Sequence, residues 1–259
     1  MIADTTRLSH EQIAQFHEQG YLKLDQLVEH DEIAWVREVY DRLFEERAGW
    51  ERGEQFDLAG SDDPSAKPRL PQLMNPARYA PELQNAGFRH AAFEIARQLL
   101  GPNTDRGDEH AIRKPGDDGA ETPWHQDESY WDPAFAYEAL SIWIPLQEAT
   151  RANGCMQFIP GSHLGGEILP HHSIGHDVRI HGLETDGVDP RLAVACPLPP
   201  GGCTIHHCRT LHYTSANRSG QPRRAYILTF RSPPVKLDVP RDFPWLTARR
   251  AARQARATM

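Results

Sequence analysis

Up to about residue 105, apolar residues recur at three- and four-residue spacing; beyond it they come in short dense runs. That change of period predicts a helical start and a β-rich remainder. Ser9 with Gln12 has the pattern of a capping box, and Leu8 with Ile13 that of a hydrophobic staple, so a first helix begins there and ends at Gly20. Tyr21 to Leu24 reads as a short strand. Asp31 is the expected cap of a second helix whose apolar face uses Ile33, Val36, Tyr40, Leu43 and Phe44. The polar stretch from Glu51 to Arg69, with its Gly and Pro, reads as a loop. A third helix is expected to open at Pro81 or Glu82, to turn Ala91, Ile95, Ala96 and Leu99 inward, and to stop at Gly101-Pro102. From about Asp108 onward the apolar runs are punctuated by Gly, Pro and Asn, which predicts a sandwich or barrel. Asn153-Gly154 and Pro160-Gly161-Ser162 read as tight turns between strands, and Ala248 to Thr258 as a frayed helix.

Composition narrows the classes without choosing a function. With 259 residues, 39% of them hydrophobic, the chain can bury a full core. A net charge of -8 argues against nucleic acid and anionic membrane surfaces as partners. No apolar run approaches bilayer length, and Met1 to His10 lacks the apolar core of a signal peptide. Cys155, Cys196, Cys203 and Cys208 form no CxxC pair, so reduced thiols, no structural zinc and a cytoplasmic location are expected.

The chemistry concentrates in Trp124-His125-Gln126-Asp127. In an extended segment His125 and Asp127 share a face while Gln126 points away. An imidazole and a carboxylate on one face, joined by a distant imidazole such as His212, make the facial triad that holds non-haem Fe(II) and leaves open coordination positions. Cys203 to Cys208 and Ala225 to Phe230 read as strands, so His212 ends one and Arg223 starts the next. The planar Arg223 guanidinium suits a two-pronged pair with a carboxylate, and the Thr214 hydroxyl lies two residues past His212. An ordinary surface role for Arg223 and Arg224 is the competing reading.

Taken together, Pro123 to Asp127, Trp143-Ile144-Pro145-Leu146, Asn153 to Met156, Pro160 to His163 and His212 to Arg223 resemble the phytanoyl-CoA dioxygenase family of Fe(II)/2-oxoglutarate-dependent oxygenases. Phe16 to Leu22 resembles that family's opening helix and strand. The resemblance runs through most of the chain and implies a mainly β fold with flanking helices, a cupin-like double-stranded β-helix or jelly roll. One domain over 1–259 is expected: a mostly helical part over 1–105, a jelly-roll core over 106–235 and a tail over 236–259. It also implies that His125, Asp127 and His212 bind iron, and that Arg223 and Thr214 grip the far carboxylate of 2-oxoglutarate. Trp143 and His110 then line the cosubstrate pocket, and Gln72 contacts the near end of the keto acid. Fe(II), 2-oxoglutarate and O2 are the implied cofactors. Asp127 argues for oxygenation, desaturation, cyclisation or epimerisation over halogenation, since the halogenating relatives have a small residue there.

Several residues keep two readings. His206 and His207 rival His212 as third ligand, but they alternate along a strand, so at most one can face inward. His171, His172, His176 and His181 sit in a long segment, His171 to Gly187, read as a mobile loop over the site rather than a metal cluster. Tyr130 and Trp131 either line the substrate cavity or belong to the core. Glu128 and Asp132 either favour an amine-bearing substrate or face solvent. The expected activity is oxidation of an unactivated C–H bond of a small organic molecule, a tailoring step in secondary metabolism, by a monomer or homodimer. The alternatives are an acyl-CoA or amino-acid hydroxylase of the same family, or a jelly-roll metal- or ligand-binding protein without oxygenase activity.

Overall fold

The computed structural model describes residues 6–60 and 66–249. Helix α1 (His10–Gln19) opens on Ser9, whose side chain accepts from Gln12 N–H while the Gln12 side chain accepts from Ser9 N–H, the reciprocal cap the spacing predicts. It closes on Gly20 at φ 78, which only glycine adopts cheaply, and a Cβ there would lie 2.4 Å from both His163 Nδ1 and Thr210 Oγ1. Strand β1 (Tyr21–Leu24) follows directly.

Helix α2 (His30–Glu45) buries Ile33, Val36, Val39, Tyr40, Leu43 and Phe44. Its N-cap is Glu29 and not Asp31, which lies in the first turn with Glu32, where negative charge complements the exposed N–H groups. The polar stretch expected to be a loop contains a 3-10 turn at Trp50–Arg52 and strand β2 (Gln55–Asp57), which pairs with β3 (Pro71–Met74). Asp57 organises that return by accepting from the N–H groups of Ala59, Arg69 and Leu70. A short α3 (Pro76–Tyr79) and a 3-10 turn (Pro81–Asn85) come before α4 (Gly87–Leu100). The third long helix thus begins later than Pro81 or Glu82, because Ala86 is extended. Glu32 of α2 accepts from Gly87 and Phe88 N–H and caps α4 from another helix, a contact no local pattern encodes.

The rest is strand: β4 (Asp105–Lys114), β5 (Thr122–His125), β6 (Phe135–Ala136), β7 (Ala139–Pro145), β8 (Met156–Phe158), β9 (His172–Ser173), β10 (Leu183–Glu184), β11 (Val194–Cys196), β12 (Cys203–His207), β13 (His212–Thr214), β14 (Arg223–Arg231) and β15 (Val235–Lys236). Among the described residues the strands form a seven-stranded sheet, β1-β12-β7-β14-β4-β3-β2, a four-stranded sheet, β11-β8-β13-β5, and two two-stranded pairs, β10-β9 and β15-β6, with antiparallel pairing throughout. This is the expected mainly β jelly roll with flanking helices.

The seven-stranded sheet is covered on both faces, which is why every residue of β7 is buried. One face sends Leu140, Ile142, Ile144, Tyr226 and Leu228 into a core shared with α1, α2 and α4. The other sends Trp143, Ala225 and Ile227 against Met156 and Phe158 of the smaller sheet. The period-2 alternation of strands thereby divides an apolar helix-side core from a barrel interior able to hold polar groups. All four cysteines are unpaired and buried. Residues 244–249 are helical, while most of the expected C-terminal helix, 250–258, lies outside the described residues. No helix among the described residues is long and apolar enough to cross a membrane.

Candidate active site

His125 ends β5 and His212 starts β13, and the two are direct cross-strand partners in the smaller sheet. Their rings lie 4.1 Å apart, centroid to centroid. Asp127 is not in the extended strand as expected. It opens a 3-10 turn (Asp127–Tyr130), which still carries its carboxylate back to the imidazoles: Oδ1 lies 3.9 Å from His125 Nε2 and 3.4 Å from His212 Nε2. Each ring is oriented through its other nitrogen, His125 Nδ1 toward Pro123 O at 2.7 Å and His212 Nδ1 toward Thr210 O at 2.9 Å. This orientation suits a metal ligand, which donates from Nδ1 and offers its Nε2 lone pair to the ion. One ligand atom from each of the three residues lies within 4.8 Å of the others, so the group can hold a metal ion.

Two residues on the larger sheet steady the carboxylate. Ser141 Oγ donates to Asp127 Oδ2 at 2.7 Å, and His206 Nε2 lies 3.2 Å from the same oxygen. Of the rival histidines, then, His206 faces inward as a partner of Asp127, while His207 turns to Glu138 at 3.3 Å. Burial disfavours the Asp127 charge, yet His212 and His206 beside it hold the carboxyl well below the usual carboxylate range. Sequence reading overlooked Ser141; its position two residues before Trp143 on one strand was the available signal. Ser141→Ala is expected to lower metal affinity or turnover by about 10–100-fold, as loss of an outer partner of a ligand does; equilibrium dialysis of Fe(II) measures it.

Arg223 starts β14 beside Lys114 of β4. Of the adjacent arginines, Arg224 reaches out to Asp41 of α2 at 2.6 Å, whereas Arg223 is 1% exposed. Among the described residues its Nε and Nη1 have no hydrogen-bond partner, and neither does the buried Thr214 hydroxyl. Its guanidinium carbon lies 5.3 Å from the Trp143 ring centroid. Burial lowers its pKa to about 10, against Tyr40 and Cys155, so it stays charged near neutrality. A buried cation with two orphaned donors and no carboxylate partner is costly unless an anionic ligand completes it, and the keto acid fits that donor set. Lys114, wholly buried, donates to Thr214 O at 3.1 Å and Ser215 O at 2.7 Å, fixing the strand end that carries the Thr214 hydroxyl. Lys114→Met strands the buried Thr214 carbonyl and the half-buried Ser215 carbonyl and is expected to cost about 1–3 kcal/mol, read by urea unfolding, with a raised KM for 2-oxoglutarate.

The triad opens into a cleft of about 1270 Å³. His110 and Gln72 both line it with His125 and Asp127, as do Tyr130 and Trp131. Gln72 is buried on β3, its amide 3.0 Å from Met74 Sδ, and His110 is half-buried on β4. Glu128 does not serve substrate: it is 1% exposed, paired with Arg241 at 2.6 Å and lying 3.8 Å from Arg209. Asp132 does line the cleft. Gln126 turns away from the metal ligands, and its buried amide ties together Glu167 O, Arg209 O and Leu169 N. The segment read as a loop over the site is the hairpin β9–β10, which borders the cleft through Ile174, His181, Gly182 and Leu183.

Residues 16–225 match the phytanoyl-CoA dioxygenase (PhyH) family. The chain belongs to that family. This PhyH-family chain is 40% identical to EvdO2 from Micromonospora carbonacea var. aurantiaca, whose crystal structure holds 2-oxoglutarate; the likeness covers 92% of this chain and 97% of that one at a TM-score of 0.79. It is 25% identical to the ectoine dioxygenase of Sphingopyxis alaskensis over 94% of this chain and 83% of that protein. The carbocyclase SnoK from nogalamycin biosynthesis, at 21% identity and a TM-score of 0.69, covers 89% of this chain and 86% of its own and shares the fold. The PhyH-family protein is an Fe(II)/2-oxoglutarate-dependent dioxygenase, with Fe(II), 2-oxoglutarate and O2 as cofactors and a facial-triad-like site at His125, Asp127 and His212.

Proposed function

We propose that this dioxygenase oxidises an unactivated C–H bond of a small organic molecule as a tailoring step in secondary metabolism, by hydroxylation, cyclisation, epimerisation or desaturation. His125, Asp127 and His212 hold Fe(II) through Nε2, a carboxylate oxygen and Nε2, with Ser141 and His206 keeping the carboxylate in place. Arg223 and Thr214 take the far carboxylate of 2-oxoglutarate, Trp143 and His110 wall its pocket, and Gln72 meets its near end. Bound Fe(II), 2-oxoglutarate and O2 together supply an oxidant that removes hydrogen from carbon. The chain's own part is orientation and exclusion of water, through the barrel walls and the β9–β10 hairpin. We further propose that residues 1–259 work as one domain, as a cytoplasmic monomer or homodimer.

The observation that carries this reading is the buried Arg223 guanidinium and Thr214 hydroxyl, both without a hydrogen-bond partner among the described residues, in a chain that also keeps an intact triad. A protein that merely keeps the fold has no need to bury that charge. The cleft, about 1270 Å³, exceeds what drug-sized ligands fill, roughly 300–1000 Å³, and its aromatic wall of Tyr130, Trp131 and Tyr137 suits a ring-bearing substrate. That favours a multi-ring metabolite over a single amino acid. The test is anaerobic addition of Fe(II) and 2-oxoglutarate to the apoprotein. A weak visible charge-transfer band is expected, followed on exposure to O2 by succinate formation that ring-bearing candidates stimulate and free amino acids do not. No band and no keto-acid binding would sink the assigned roles, and stimulation by an acyl-CoA would replace the substrate class.

A further inference from the structure

The hairpin beside the cleft carries histidines that the oxidation does not use. Strands β9 and β10 pair with Glu184 opposite His172. Between them the backbone turns through Gly175 at φ 61 and His176 at φ 58. That turn brings the His176 ring onto the His172 ring, with centroids 3.8 Å apart and planes 14° from parallel, so the exposed His176 ring has to rotate before both in-plane lone pairs meet at one ion. Asp186 Oδ2 lies 3.2 Å from His172 Nε2, and Glu184 Oε1 lies 3.4 Å from His172 Nδ1. One ligand atom each from His172, His176 and Asp186 falls within 4.8 Å of the other two.

Other histidines of the segment are committed elsewhere. His171 Nε2 accepts from Gln126 N–H and its Nδ1 faces Leu169 O, while the His181 ring packs on Phe56. His172, in contrast, has Nδ1 2.9 Å from the Ser173 carbonyl, an interaction that fixes the ring with Nε2 turned to Asp186. This repeats the outer-partner arrangement seen at His125 and His212. In a tetrahedral shell with bonds near 2.0–2.1 Å, ligand atoms stand about 3.3 Å apart, close to the His172–Asp186 separation. Two imidazoles and one carboxylate select a borderline ion such as Zn²⁺ over Ca²⁺ or Mg²⁺, which take oxygen ligands.

We propose that His172, His176 and Asp186 form a second divalent-metal site, for Zn²⁺ or a similar ion, separate from the catalytic triad. The ion ties His176, in the connection between the two strands, to His172 of β9 and to Asp186, two residues past the end of β10. Ile174, His181, Gly182 and Leu183 of the same hairpin border the cleft, so the ion stiffens one wall of the substrate site.

Co²⁺ titration of the metal-free protein tests this, because a tetrahedral site gives intense visible bands and a six-coordinate one weak bands. Wild type is expected to take two equivalents, both displaced by Zn²⁺. His125→Ala/His212→Ala should retain one equivalent with the intense spectrum; His172→Ala/His176→Ala should retain one with the weak spectrum. Asp186 is 85% exposed, so Asp186→Asn leaves the fold intact and should weaken only the intense band. A single equivalent in wild type, unchanged by the hairpin substitutions, overturns the proposal and leaves His172 and Asp186 as a plain ion pair.

Discussion

Arg223→Ala is expected to raise KM for 2-oxoglutarate by about 30-fold or more, with a smaller effect on kcat at saturating keto acid. Truncating one partner of a buried, hydrogen-bonded charge pair costs about 2–5 kcal/mol, and 2 kcal/mol alone is close to 30-fold. The effect falls on binding because the guanidinium is on β14 against Trp143 and outside the triad, with two donors that no group among the described residues uses. Arg223→Lys is expected to recover little, since an ammonium cannot form the two-pronged pair and would lose the stacking on Trp143. The same substitution has a second signature in stability. Removing a partnerless buried cation leaves the unliganded protein no less stable and abolishes the protection that the keto acid gives against urea. Succinate release and unfolding with and without 2-oxoglutarate measure both; an unchanged KM would mean that the keto acid docks elsewhere.

His212→Ala is expected to weaken Fe(II) binding by more than about 100-fold, the upper end of what disturbing an outer partner causes, and to abolish turnover. His212 and His125 are the only cross-strand imidazole pair in the smaller sheet among the described residues, and Asp127 lies between them and the larger sheet. Two remaining ligands do not hold the ion against solvent. His206→Ala is the informative comparison, because His206 lies 3.2 Å from Asp127 Oδ2 without belonging to the triad. It is expected to keep the charge-transfer band of the Fe(II)–2-oxoglutarate complex, at reduced affinity, where His212→Ala loses it. Loss of the band in both would make His206 a ligand and redraw the centre.

Residues whose roles depend on local spacing were legible before the fold. The Ser9–Gln12 cap, the apolar stripe from Ile33 to Phe44 and the stop at Gly101 all form as expected, because each is set within a single helix and its flanking residues. The alternation of His206 and His207 likewise decided in advance that at most one of them faces inward. Local rules failed where a distant group supplies the partner. Asp31 had the residue type of a cap but not the position, and Glu32 caps a different helix. Gln55 to Asp57 is too polar to announce a strand, yet it pairs with β3 at the rim of the cleft. Glu128 sits beside the metal-ligand motif in sequence, yet Arg241, far along the chain, takes its carboxylate in a part-buried ion pair.

The sequence by itself determined the chemical inventory and its order along the chain: two imidazoles and a carboxylate suited to Fe(II), an arginine and a threonine suited to a keto acid, and strands whose period fixes which side chains share a face. Only the tertiary structure decided which of these meet and which stay partnerless. The register of β5 against β13 sets His125 beside His212, and the packing of one sheet over the other brings Ser141 and His206 to Asp127. Closure of the barrel buries Arg223 without a carboxylate. Hydrogen-bond satisfaction and desolvation are properties of the whole surroundings of a group, and contacts between strands remote in sequence create those surroundings.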